Sequence, residues 1–177
     1  LVKHANPCGV GTATTIEEAF RTALASDPVS AFGGILALNR PVEPALVEAI
    51  GSLFLEVIVA PQISPAARTM LAAKKNLRVL EVAKETHASP LADWSVHAIS
   101  GGYLVQTRDR TTTPPTEWEQ ATGDPLPPDA MADAVLAWEV VRHVKSNAIV
   151  LVKNGATIGI GAGQMSRVDA VRIAIQK

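Results

Sequence analysis

Short β-branched runs alternate with helical stretches of about 10–13 residues through the first eighty positions, and this alternation restricts the fold more than any other feature. A strand and an amphipathic helix each carry one apolar side, and the economical way to bury both is a sheet covered by helices. Residues 1–3 read as the end of a strand and 5–11 as a Pro/Gly loop. Thr14 and Glu17 form a capping box for a helix whose Ile16, Ala19, Phe20, Ala23 and Leu24 share one face, and Asp27-Pro28 stops it. Strands are predicted at 34–38, 57–60 and 77–82. Between them, Pro44 opens a helix running to about Phe54, and Ser64-Pro65 opens one running to about Lys75.

The second half is less regular. Gly101-Gly102 precedes a strand at 103–107, and residues 108–128, with five prolines, read as a long surface loop or a boundary. A helix is predicted over 129–144. Asn154-Gly155 joins strands at 148–153 and 156–160 into a hairpin. Gly161-Ala162-Gly163 then leads into a last helix, capped by Ser166 with Asp169 at its third position.

Composition excludes several classes. The 177 residues hold 16 Lys+Arg against 17 Asp+Glu, so the net charge of -1 gives no general attraction for nucleic acid or an anionic membrane. No apolar run reaches the ~18 residues of a membrane span. One Cys builds neither an internal disulfide nor a thiolate zinc site, which points to a reducing, cytoplasmic setting. Twenty-eight alanines and 4% aromatic residues suggest helices packed closely on a sheet. Both ends of the chain read as internal, so a piece of a longer polypeptide is expected.

Four stretches could carry chemistry. In Lys3-His4-Ala5-Asn6-Pro7-Cys8-Gly9, a cation beside an imidazole favours the neutral ring that accepts a proton, and the ammonium can stabilise charge growing on a carbonyl oxygen. The two side chains can share a site only where the strand breaks into its loop. The plain alternative is a solvated Lys and a structural His. Pro7-Cys8 lacks the second Cys of a zinc deaminase. In Ser30-Ala31-Phe32-Gly33-Gly34, the glycines allow close backbone approach and Phe32 could cover a flat ring; a tight turn with a core Phe is the alternative. Downstream, Glu56 opens a strand and could accept from a ligand amine or ribose. In Val144-Lys145-Ser146-Asn147-Ala148, Asn147 offers a donor and an acceptor, or simply ends a helix. Gly159-Ile160-Gly161-Ala162-Gly163-Gln164 fails the dinucleotide fingerprint at its third glycine. It leaves a loop feeding a helix N-terminus with Arg167 in the first turn, a candidate anion site. His87, His97 and His143 show no ligand spacing.

Taken in order, Lys3-His-Ala-Asn-Pro-Cys-Gly9, Asp27-Pro-Val-Ser-Ala-Phe-Gly-Gly34, Glu56-Val-Ile-Val-Ala-Pro61, Lys74-Lys-Asn-Leu-Arg78, Val144-Lys-Ser-Asn-Ala-Ile-Val150 and Gly159-Ile-Gly-Ala-Gly-Gln-Met-Ser-Arg-Val-Asp169 resemble one family over residues 1 to 177. It is the AICAR transformylase part of the bifunctional purine biosynthesis enzymes, in the shorter bacterial spacing. The resemblance implies an α/β fold, a cytidine-deaminase-like layered sandwich of a mixed sheet with flanking helices, without the deaminase zinc. It implies two copies of that subdomain: most of the first over 1–110, a Pro-rich linker over 111–128, and the start of the second over 129–177.

The implied reaction is formyl transfer from 10-formyltetrahydrofolate to the 5-amino group of AICAR, in a cytoplasmic homodimer, with no metal required beyond a possible structural monovalent cation. His4 matches the proton acceptor, Lys3 the transition-state stabiliser, and Asn147 a further catalytic position. Phe32, Gly33, Glu56, Asn147 and Arg167 match AICAR-binding positions, and Val168 a folate-contacting one. Some members carry Asp at the Glu56 position and Ile at the Val168 position. IMP cyclohydrolase activity is implied for a preceding domain, and residues 1–177 alone are expected to be inactive. The competing reading is a non-catalytic nucleotide-binding module that uses only the glycine loop and Arg167.

Overall fold

The computed structural model describes residues 1–82, 93–109 and 113–177; His87 lies outside them. The chain divides into two units, Leu1–Ala83 with Leu126–Lys177, and Lys84–Pro125. In the first unit, β1 (Val2–Lys3) folds back through His4 and Ala5 onto β2 (Asn6–Pro7), with Lys3 opposite Asn6. β1 also runs antiparallel to β3 (Gly34–Ala37), which runs parallel to β4 (Leu55–Ala60), and β4 parallel to β5 (Arg78–Glu81). The sheet order is β2-β1-β3-β4-β5. Parallel neighbours need crossovers, and α2 (Pro44–Ile50) and α3 (Pro65–Ala72) supply them. The chain is thus a mixed α/β protein, as the alternation predicts.

The core forms where α1 (Ile16–Ser26) and α2 meet the sheet: Phe20, Leu46, Val42 and Ile58 are among its fully buried side chains. Boundaries shift for local reasons. Thr15, not Thr14, caps α1, its hydroxyl accepting from the Glu18 N–H at 3.3 Å. α2 stops short of Phe54 because Gly51 turns the chain at φ 53.

After α4 (Pro128–Val141), the hairpin of β8 (Ile149–Lys153) and β9 (Ala156–Gly161) turns at Asn154-Gly155, both at positive φ as a two-residue turn of this hand requires. Asp133 of α4 fixes that turn, its two carboxylate oxygens accepting from the Asn154 and Gly155 N–H groups. α5 (Arg167–Gln176) lies on β9 so closely that a Cβ at Gly159 or Gly161 would stand 1.8 or 1.9 Å from the carbonyl oxygens of Ala174 and Ala170. Ser166 precedes α5, but its side chain makes no capping bond.

In the second unit, β6 (Trp94–Ile99) pairs antiparallel with β7 (Gly102–Thr107), Val96 opposite Val105. The sequence reading has β7 without its partner. The expected loop at 108–128 contains, among its described residues, a 3₁₀ turn at Pro115–Glu117 and the start of α4. Among the described residues no helix is long and apolar enough to cross a membrane.

Candidate functional site

Lys3 ends β1, and His4 is the first residue of the two-residue turn that follows. His4 sits at φ 54. The left-handed region costs a non-glycine residue about 1–2 kcal/mol, and turns of this length favour glycine, Asn or Asp at such positions. The exposed imidazole is thus presented from a turn position that few non-glycine residues occupy.

The Lys3 ammonium is anchored. Its Nζ donates to the carbonyl oxygens of Phe32 at 2.7 Å and Gly33 at 3.1 Å. An ammonium has three donors, so among the described residues one is left unpaired. Gly33 takes φ 65, and its N–H donates to the Phe54 carbonyl, which pins the turn to the start of β4. The Phe32 ring lies 5.5 Å from that of Phe54, tilted by 54°, and stays 63% exposed. Lys3, Phe32 and Gly33 therefore form one cluster.

Glu56 stands apart from it in bonding. The pairing passes from Gly34 opposite Leu55 to Ile35 opposite Val57, so Glu56 is the extra residue of a bulge in β4, a device that re-aims a side chain. Its carboxylate meets the Arg78 guanidinium at 3.3 Å. Both side chains are more than half exposed, so the pair contributes little to stability. Among the described residues, Glu56 bonds to none of the other expected site groups.

The second cluster forms around Asn147. Gly163 N–H donates to the Lys145 carbonyl at 2.6 Å, and Asn147 and Gln164 exchange backbone bonds at 2.9 and 3.3 Å. The Asn147 side-chain amide spends its Nδ2 donors on the carbonyls of Gln164 (2.9 Å) and Met165 (3.1 Å), and among the described residues its Oδ1 accepts no bond. The Ser146–Asn147 peptide is cis. Arg167 opens α5, exposed, and among the described residues its guanidinium has no hydrogen bond or ion pair; Val168 beside it is 57% exposed. Gly159 and Gly161 serve the packing of α5, so of the glycine-rich run only Gly163, at φ 67, belongs to this loop.

Asn6 links the two clusters. Its Oδ1 accepts from the Lys145 N–H at 3.1 Å across 139 residues of sequence. The sequence reading missed Asn6 as a site element. The available signal was an Asn just after a tight turn, where an Asn side chain commonly bonds to backbone.

Beside the Lys3 turn is a cleft of about 210 Å³, lined in part by Lys3, Asn6, Cys8, Asp27, Ser30 and Lys177. Burial opposes ionisation of Asp27, but Lys177 Nζ at 2.6 Å and the Ser30 N–H at 3.0 Å together hold its carboxyl below the usual value. Burial pushes the Cys8 thiol up. A larger cleft, about 540 Å³, is elsewhere, against α1. Among the described residues no group of three or more His, Cys, Asp or Glu could hold a metal ion.

Fold and loops together define a class: an α/β protein whose strand-end loops carry an ammonium, an imidazole, an amide oxygen and a guanidinium that is unpaired among the described residues. The chain belongs to the AICARFT/IMPCHase bienzyme family, which it matches over residues 1–177. It is 47% identical over 177 residues to the bifunctional purine biosynthesis protein PurH of Desulfitobacterium hafniense, covering all of this chain and 34% of that protein. The protein of that name from Parvibaculum lavamentivorans is 49% identical over 180 residues, and one from Cereibacter sphaeroides 50% over 179, each again matching the whole of this chain. The chain spans about a third of the length of these curated relatives.

Proposed function

We propose that this chain is the part of a purine-biosynthetic enzyme that transfers a formyl group from 10-formyltetrahydrofolate to the 5-amino group of AICAR. The observation that carries the reading is the Lys3 ammonium, anchored on the Phe32 and Gly33 carbonyls beside an imidazole in a glycine-like turn position. The family match over the full chain supports it.

The chemistry asks for these two groups. The AICAR amine is conjugated with its ring and is a poor nucleophile, so a base must take its proton as the nitrogen bonds to the formyl carbon. His4 is that base. The formyl oxygen gains negative charge in the same step, and the remaining N–H of Lys3 donates to it. The bond from carbon to the folate N10 then breaks, the oxygen returns to a carbonyl, and His4 gives its proton to the leaving nitrogen. No net oxidation occurs and the imidazole ends neutral.

Arg167, with no partner among the described residues, takes the substrate phosphate, where a guanidinium makes two parallel bonds. Asn147 Oδ1 accepts from the carboxamide, the exposed Phe32 ring covers the imidazole, and Glu56 accepts from the ribose or amine by sharing Arg78. Val168 contacts the folate. The mixed sheet with flanking helices is consistent with a cytidine-deaminase-like subdomain, and we extend the reading to a cytoplasmic homodimer.

In the full-length enzyme, His4→Ala is expected to keep AICAR affinity, measured by calorimetry, and to lose about 10²–10⁴-fold in single-turnover formyl transfer. A variant with unchanged transfer rate sinks the assignment.

A further inference from the structure

The cleft of about 540 Å³ has the form of a sheet with one strand taken out. One wall is the stretch Val10 to Ala13, the other runs from Leu36 to Arg40, and the floor is Ile16, Ala19, Phe20 and Ala23 of α1. Leu1 stands at one end.

Both walls are open edges, because backbone groups alternate sides along a strand. On one wall, Val10 O accepts from Thr157 N–H and Thr12 N–H donates to Gly155 O, with Gly11 opposite Ala156 between them. Gly11 therefore turns its own N–H and C=O away from β9 and into the cleft. On the other wall, Leu38 N–H donates to Val59 O of β4, so Ala37 turns its N–H and C=O the other way, also into the cleft. Among the described residues neither Gly11 nor Ala37 has a backbone partner on that side. An unpaired edge against an apolar floor is the arrangement that proteins normally pair or cover.

The register identifies what fits. Val2 lies opposite Ile35 in the antiparallel pair, which puts Leu1 level with Leu36 and the residue before it level with Ala37. The Leu1 amine already bonds to Gly9 O at 2.8 Å, on the opposite wall. Continued backward, the backbone of β1 enters the cleft midway between the two open edges.

We propose that this cleft seats a further length of β1, formed by the four or five residues that directly precede Leu1 in the full-length polypeptide. Relatives about three times as long as this chain carry residues beyond the matched region, and the register of β1 requires that some of them precede Leu1. Pairing with both walls joins β8 and β9 to the five-stranded sheet through Val10 to Thr12, so that one continuous sheet runs from β8 to β5. Alternate residues of the added strand are apolar, facing Phe20 and Ala23. It also lengthens the two-residue strand that ends in Lys3, and so fixes the turn that carries His4.

The test compares amide hydrogen exchange in the 177-residue chain and in the full-length polypeptide. Exchange at both Gly11 and Ala37 is expected to slow by about 100-fold or more in the longer chain, because an edge amide opens locally while a central-strand amide opens only with the core. Unchanged exchange at both, or protection of one wall alone, overturns the proposal. Protection that depends on protein concentration overturns it in favour of a second copy as occupant. As a further check, proline in place of the residue directly before Leu1 removes the N–H that would donate to the Ala37 carbonyl and weakens that pair, so exchange at Ala37 should speed up by about 10-fold while the Leu36 and Ile58 amides stay protected. If that variant does not fold, the comparison of the two chain lengths decides.

Discussion

Two glycine-x-glycine ribbons, at opposite ends of the sequence, solve the same packing problem. A Cβ at Gly9 would stand 1.9 Å from the Ala23 carbonyl and one at Gly11 2.4 Å from that of Ala19, on α1. At Gly159 and Gly161 the corresponding oxygens belong to Ala174 and Ala170, on α5. In each case a strand-like ribbon lies against two alanines four residues apart on one helix face. The difference is in what each ribbon delivers. The first is preceded by the Lys3-His4 turn, whose groups are proposed to react; the second runs on to Arg167, whose charge is proposed to hold. One packing device thus supports two chemical tasks, and glycine spacing alone does not distinguish a ligand-cradling loop from a helix seat.

The sharpest break in the comparison is kinetic. His4→Gly in the full-length enzyme should lower kcat by about 10²–10⁴-fold, while Tm stays level or rises, because glycine accepts φ 54 without strain. Arg167→Ala should leave kcat within a few-fold and raise the KM for AICAR by roughly 10–100-fold, in line with the ~1.5–3 kcal/mol of a charge-assisted bond. Steady-state kinetics on both variants checks the split. If the two effects change places, the roles of the two ribbons are reversed.

The next effect is on stability. Gly159→Ala and Gly161→Ala press a methyl group into helix backbone and should cost about 3 kcal/mol or more, at or above the top of the usual overpacking range. Gly9→Ala should match them. Gly11→Ala should cost somewhat less than Gly9→Ala, because its nearest backbone obstacle, the Ala19 carbonyl oxygen, stands at 2.4 Å rather than 1.9 Å. Gly163→Ala meets nothing within 4 Å and should cost about 1 kcal/mol, from its positive φ alone. Urea midpoints at constant m-value measure the series. Equal costs at Gly161 and Gly163 would remove the packing explanation.

A smaller effect concerns Asp27, where the chain just after α1 meets Lys177 beyond α5. Its folded carboxyl titrates below its unfolded value, so the stability it contributes is complete above about pH 4 and is lost as pH falls through the lower folded value. Lys177→Met should cost about 1–2 kcal/mol at pH 7, less than a fully buried pair because Lys177 is 39% exposed. The loss should shrink as pH falls through the lowered folded value, because a neutral Asp27 gains little from the ammonium. Denaturation at pH 7 and pH 3 separates this from a packing effect, which would not depend on pH.

How far the fold was legible follows from what forces each element. The helices with an apolar face and a proline or hydroxyl start were readable because the core dictates their period, and the Asn154-Gly155 hairpin because its dipeptide suits left-handed backbone. β6 was not, since Val96, His97, Ala98 and Ile99 are all exposed and no core imposes alternation on them. In the site, the residue types were legible while their bonds were not. Nothing local shows that Asn6 meets Lys145 or that Asp27 meets Lys177, because those contacts follow from how the whole sheet closes.

The smallest effect distinguishes the two helices on which the ribbons rest. Thr14 and Thr15 each have an acid three residues on, Glu17 and Glu18, so the sequence permits either register for the start of α1. The structure selects Thr15, whose hydroxyl accepts from Glu18 N–H, while Ser166 makes no such bond at the start of α5. Thr15→Ala should therefore cost about 1 kcal/mol, and Thr14→Ala and Ser166→Ala less than about 0.5 kcal/mol each, as exposed substitutions do. The α5 start has no side-chain cap among the described residues, as suits a helix end that receives an anion. If Ser166→Ala costs as much as Thr15→Ala, the first N–H groups of α5 are already satisfied and the guanidinium must bind without them.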